Sequence, residues 1–87
     1  MGRERPMKTT HSLLYRQILA ALVDTRKAKG ITQVDLARRL GKPQSFVSKF
    51  ENGERRIDVA EFIEICRAMQ VDALALLAPI CGDTGGN

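Results

Sequence analysis

Two cysteines and one histidine are all the thiol and imidazole that 87 residues offer to a metal or a disulfide. Cys66 and Cys81 lie far apart with His11 distant from both, which matches neither zinc-ligand spacing nor a disulfide framework. Cys66 falls on the apolar side of a helical stretch and is expected to be a small buried hydrophobe, whereas Cys81, in a glycine-rich tail, is expected to be exposed and oxidisable. No apolar run approaches the roughly 20 residues of a membrane span. The opening MGRERPMKTT is polar, unlike a secretory signal, and the charged, rigid Arg3 to Pro6 stretch does not continue a myristoylation pattern. The expected location is the cytoplasm. One histidine, no clustered carboxylates and no glycine-rich phosphate loop leave nothing from which to assemble a catalytic site. No enzyme activity, cofactor or metal is therefore expected.

What is present is charge, unevenly placed. The net +4 divides into +2 over residues 1–25, +6 over 26–56 and −4 over 57–87. The central block has the footprint of a surface facing a polyanion. At this length one compact domain of a single structural class is expected.

Apolar spacing predicts five helices and no strand. Residues 1–11, with Pro6 and several charges, read as a flexible basic arm, of a kind that either follows a nucleic-acid groove or stays disordered. From Ser12 to Lys29 a stripe of Leu14, Ile18, Ala21, Leu22 and Thr25, broadened by Leu13, Leu19 and Val23, predicts a long amphipathic helix ended by Gly30. Thr32, with Asp35 in the capping-box position, opens a short second helix with Val34, Leu36, Ala37 and Leu40 inside, closed by Gly41. Pro43 suits the start of a third helix, from Gln44 to Glu51, with Val47 and Phe50 inward and Gln44, Ser45, Ser48 and Lys49 outward. Asn52-Gly53 stops it. Asp58 and Glu61 form a capping box before a fourth helix whose apolar face is Val59, Phe62, Ile63, Cys66 and Met69. A fifth starts at Val71-Asp72 and is ended by Pro79. Residues 12–80 thus form the domain, and 81–87 a disordered tail.

The signals GITQVDLARRLGKPQSFVSKFENGERR and AEFIEICRAMQVDALALL stand in the order and spacing of one family. From about Leu22 to Leu77 the chain resembles the lambda-repressor-like helix-turn-helix domain of Cro/XRE-type transcriptional regulators. The resemblance implies an all-α, compact five-helix DNA-binding fold, its helix-turn-helix formed by helices 2 and 3.

The resemblance and the residues point to the same chemistry. A recognition helix presents its N-terminal outward residues to base edges in the major groove. Gln44 suits a bidentate pair with adenine, Lys49 donates to guanine acceptors, and Ser45 and Ser48 adapt to either. Family correspondence puts Gln44, Ser45 and Lys49 at reading positions and leaves Ser48 between base and phosphate. Phosphate contacts are expected from Thr32 and Gln33 at the second helix's N-terminus, from Asn52, Arg55 and Arg56 after the recognition helix, and from Lys42 in the turn. Arg38 and Arg39 are either further contacts or solvated helix charges. The family commonly pairs the positions of Arg26 and Glu51, an arrangement that would aim the Arg26 guanidinium toward phosphate; the alternative is an ordinary surface ion pair.

Two departures limit the carry-over. Pro43 stands where a Ser or Thr often caps the recognition helix, and Phe46 replaces a small residue. Its ring either packs sideways against neighbouring helices or presses on a thymine methyl.

One recognition helix discriminates by only about 1–3 kcal/mol per good bidentate contact, so a homodimer on a pseudo-palindromic double-stranded operator is expected, with reading helices about 34 Å apart. Leu74, Leu77 and Ile80, joined by Leu13 or Tyr15, are the candidate dimer surface; alternatively Leu74 and Leu77 complete the monomer core. The leading expectation is a repressor acting by occupancy. The other is an antitoxin or adaptor that uses the acidic 57–87 region to hold a protein partner.

Overall fold

The computed structural model describes residues 12–85, with the backbone alone over 83–85; the expected basic arm lies outside the described residues. Five helices follow in order: α1 (Leu13–Ala28), α2 (Gln33–Leu40), α3 (Gln44–Glu51), α4 (Val59–Met69) and α5 (Ala73–Gly85). Among the described residues there is no strand.

Local chemistry explains the starts. Ser12 Oγ accepts from Tyr15 N at 3.1 Å, and Thr32 Oγ1 accepts from Asp35 N at 3.0 Å, each satisfying one orphan donor of a first turn. The reciprocal box expected of Asp35 is not made; its carboxylate instead takes Arg38 and Arg39. Asp58 and Glu61 do form a full box, with Glu61 N bonding Asp58 Oδ1 at 2.7 Å and Asp58 N bonding Glu61 Oε1 at 3.0 Å.

The ends of α1 to α4 share one device. After α2, Gly41 takes φ +69°, its N–H bonds Arg38 O, and Lys42 N–H bonds Ala37 O. That is a Schellman pair, which returns partners to the last carbonyls and reverses the chain within two residues. The same pair of bonds recurs at Gly30, Gly53 and Gln70.

α2 packs on α3 and α4, α1 on α5 and α3, and α4 on α5. The core between them is centred on Leu22, Leu36, Val47, Phe50, Ile65, Cys66 and Met69. Several expected faces are rotated. In α1 the buried stripe is Tyr15, Leu19, Leu22 and Arg26, while Leu13 and Leu14 are exposed. These four sit at i, i+4, i+7 and i+11, one face of a 3.6-residue period. Val34 of α2 and Val59 and Ile63 of α4 are exposed, and Ile65 is buried in their stead.

Pro79 does not end α5, and the expected loose tail is helical as far as Gly85. Proline removes one i to i−4 hydrogen bond, here the one to Ala75. Ala75 and Pro79 are both exposed, so the loss falls on the water-facing side, where solvent replaces the donor.

Candidate nucleic-acid interface

Pro43 acts as the N-cap of α3, one residue earlier than the first-turn position expected, with φ −66° and ψ 155° and no side-chain cap. Its carbonyl accepts from Phe46 N at 3.0 Å. The first N–H groups of α3, on Gln44 and Ser45, have no protein acceptor among the described residues and point out at the positive end of the helix. Val47 and Phe50 are sealed at 0% exposure, which fixes the rotation of α3 and puts Gln44, Ser45 and Lys49 in solvent. Ser48 is half-buried, and its hydroxyl donates to Ser45 O at 3.3 Å. It is thus partly committed to its own helix.

Arg26 and Glu51, expected as a pair, are one, but deep in the fold. Arg26 Nε and Nη2 donate to the two Glu51 oxygens at 2.7 and 3.0 Å, and Nη1 donates to Ile31 O at 2.7 Å. Only 8% of Arg26 is exposed. Three of its five N–H groups are spent on protein and 10% of its side chain is exposed, so Arg26 braces the fold and little of it is left in solvent for the expected phosphate contact. The cause is positional, since Arg26 continues the buried stripe of α1. Gln33 Nε2 adds a third bond to Glu51 at 2.9 Å, tying the start of α2 to the end of α3. Its second amide hydrogen and the Thr32 hydroxyl proton remain as donors.

On the turn side, Phe46 gathers cations. Its ring meets Phe50 edge-on at 5.7 Å between centroids, with Lys42 Nζ at 5.3 Å and Arg55 Cζ at 4.7 Å over the same ring. Packing is thus the arrangement its ring adopts. Arg55 also forms a two-point pair with Glu61, at 2.9 and 3.1 Å. The Arg55 hydrogen bond, followed by the Asp58 backbone N–H, holds the Glu61 carboxyl below its usual range, and the same bond raises the Arg55 guanidinium. Asn52 is exposed and donates to Glu54 at 3.3 Å. Arg56 lies over the Tyr15 ring at 4.5 Å.

Residues 22–76 match the helix-turn-helix family. An XRE-family like protein from Pseudomonas syringae pv. tomato is 51% identical, with a TM-score of 0.81 over 87% of this chain and 95% of that one. The chain belongs to the XRE family of helix-turn-helix proteins. This is a family of DNA-binding transcription regulators. Two further solved structures are similar: the clp gene regulator ClgR from C. glutamicum (25% identity, TM-score 0.71, 84% of this chain and 95% of that) and the hypothetical transcription factor NHTF from Neisseria (28%, 0.64, 84% and 83%). No curated protein matches.

In this XRE-family domain the residues that sequence reasoning missed are those that brace others. Tyr15 Oη accepts from Ile57 N at 3.0 Å and carries Arg56 on its ring, joining α1 to the loop after α3. Arg39, though exposed, donates to Ala68 O at 2.9 Å and to Asp35, tethering α2 to α4. Glu61 was legible only as a cap. Of the two α1 residues offered for the candidate dimer surface, Leu13 is exposed at 66% and Tyr15 is buried at 6%. Leu74 and Leu77 part company as well: Leu74 is 78% exposed, whereas Leu77 packs against the core. Ile80 is half-buried. Among the described residues no helix is long and apolar enough to cross a membrane.

Proposed function

We propose that this protein reads a specific duplex sequence in the major groove with α3, as a homodimer, and represses by occupying its site. One observation carries the reading: Gln44, Ser45 and Lys49 stand exposed on a short helix whose other face is sealed into the core. Thr32, Gln33, Lys42, Asn52, Arg55 and Arg56 surround that helix from three separate segments and hold phosphates on either side. Gln44 and Lys49 supply the amide and ammonium donors that suit adenine and guanine edges. Ser48, with its hydroxyl turned to its own helix, contributes less than Ser45.

Dimerisation is supported by a mainly apolar groove of about 220 Å³ lined by Tyr15, Ile18, Ile57, Val59, Phe62 and Leu77, with the charged Arg56 and Asp58 also in its lining. Val59 on its rim is 74% exposed. A second copy, bringing Leu74 and its neighbours, fits this chemistry.

Selection from random duplexes with the purified chain tests the proposal. Enrichment of one pseudo-palindrome, with affinity falling steeply as salt rises, is the expected result. Gln44→Ala should then relax one base pair of the preference by about 1–3 kcal/mol, while Arg56→Ala weakens all sequences alike and lowers the salt slope by about 1. Salt-insensitive binding, or no enrichment, would sink the proposal.

A further inference from the structure

The geometry points to Phe46 as the positioning residue of a two-cation phosphate grip, holding Lys42 from the turn and Arg55 from the loop after α3 over one ring. This rests on the DNA reading above and adds a role to a residue that touches neither base nor phosphate in it.

Lys42 and Arg55 are 13 positions apart in sequence and come from segments on either side of α3. Phe46 is where they converge, at 5.3 and 4.7 Å from its centroid. A free lysine on a turn sweeps many rotamers, whereas the negative face of an aromatic ring attracts an ammonium or guanidinium and narrows that freedom. The ring is itself fixed, because Phe46 packs on the core and meets the fully buried Phe50 edge-on. Glu61 fixes Arg55 from the other side.

The arrangement leaves donors to spare. The Lys42 ammonium makes no hydrogen bond or ion pair to a protein acceptor among the described residues, so its three N–H groups are available. Arg55 uses Nη1 on Glu61 and the Arg56 carbonyl and Nη2 on Glu61, leaving Nε–H and one Nη2 hydrogen. Both cations are thus pre-aimed and still able to donate to phosphate oxygens. Pre-aiming reduces the ordering cost that flexible side chains incur on binding.

The test uses Phe46→Leu, which keeps apolar volume but loses the π face, and Phe46→Tyr, which keeps both. In the free full chain, proton NMR should place the Lys42 ε-methylene and Arg55 δ-methylene upfield, back at ordinary values in Phe46→Leu and still upfield in Phe46→Tyr. With DNA, Phe46→Leu should lose about three- to tenfold in affinity, equally on the selected and on an unrelated duplex. Its salt slope should flatten by up to about 2, and Phe46→Tyr should restore both. Lys42→Ala and Arg55→Ala should each cost less in the Phe46→Leu background than alone. The proposal is overturned by full additivity, by unshifted methylenes, or by a loss confined to duplexes with thymine at one position, which would make Phe46 a base reader. If the unsubstituted chain binds no duplex, the DNA reading itself fails and takes this role with it; binding by the unsubstituted chain with any of the other three outcomes removes only the role of Phe46.

Discussion

Glu51 holds three donors on two oxygens, Arg26 Nε and Nη2 and Gln33 Nε2, in a place where side-chain exposure is 6% for the acid and 10% for Arg26. Removing one partner of a buried pair strands the other charge. Glu51→Ala is therefore expected to lower folding stability by about 3–5 kcal/mol in urea denaturation, and Arg26→Met with Glu51→Leu to recover part of the loss, because no charge is then stranded although the Ile31 carbonyl and the Gln33 amide each lose a partner. Glu61 makes a contrasting, more exposed pair, and its carboxyl is held below the usual 4.5 by Arg55 first and the Asp58 N–H second. A lowered folded-state value means the contribution is complete above the ordinary glutamate value and is lost as pH falls through the folded one. The melting temperature of the natural chain should thus drop more steeply below about pH 4.5 than that of Glu61→Gln, measured by circular dichroism. At this scale the site was legible where one helix decides it. Val47 and Phe50 three apart leave Gln44, Ser45 and Lys49 outside, whatever the rest of the fold does. It was illegible where the deciding contact spans the chain, as for Arg26 with Glu51, 25 positions away, or Tyr15 with Ile57, 42 away.

Four helices end on a left-handed residue, and three of these are glycine. The fourth, Gln70, takes φ +61° with the same two bonds, its own N–H to Arg67 O and Val71 N–H to Cys66 O. A side chain there carries strain that glycine does not, partly offset by the greater freedom glycine has when unfolded. Gln70→Gly should raise stability by about 0.5–1 kcal/mol in thermal and urea unfolding. The glycine-ended helices could be bounded from sequence for the same reason, since glycine between two apolar stripes has few other uses. Helix rotation was harder. Leu13, Leu14, Ile18, Leu19, Leu22 and Val23 wrap so much of α1 that apolar spacing alone does not fix its phase; Tyr15 and Arg26 do, and both are polar enough to be counted outside. Helix α4 has the same ambiguity, with Val59 and Ile63 exposed and Ile65 inside. Pro79 misleads for another reason. The rule against proline in helices rests on a carbonyl left without a partner and on the ring's clash with that carbonyl; on an exposed side water removes the first cost, though not the second.

Across the whole molecule, the +6 of residues 26–56 and the −4 of residues 57–87 meet at the Arg55–Glu61 pair. The basic part carries the reading helix, and the less charged α4 and α5 present Val59 and Leu74 to solvent. If the apolar surface joins two copies, its loss must act on DNA binding without acting on the fold. Leu74 tests this well, because at 78% exposure it adds little to the monomer core. Leu74→Asp should leave the monomer's stability within about 0.5 kcal/mol, while sedimentation should change from dimer to monomer at micromolar concentration. Two linked reading helices gain by effective concentration, so affinity for a two-half-site duplex should fall by about 100-fold or more. It should then equal the affinity for a duplex carrying one half-site, and the salt slope should halve with it, since each copy brings its own phosphate contacts. A Leu74→Asp variant that still sediments as a dimer would move the interface elsewhere; one that is monomeric yet binds the full site undiminished would mean that each copy reads its half-site alone.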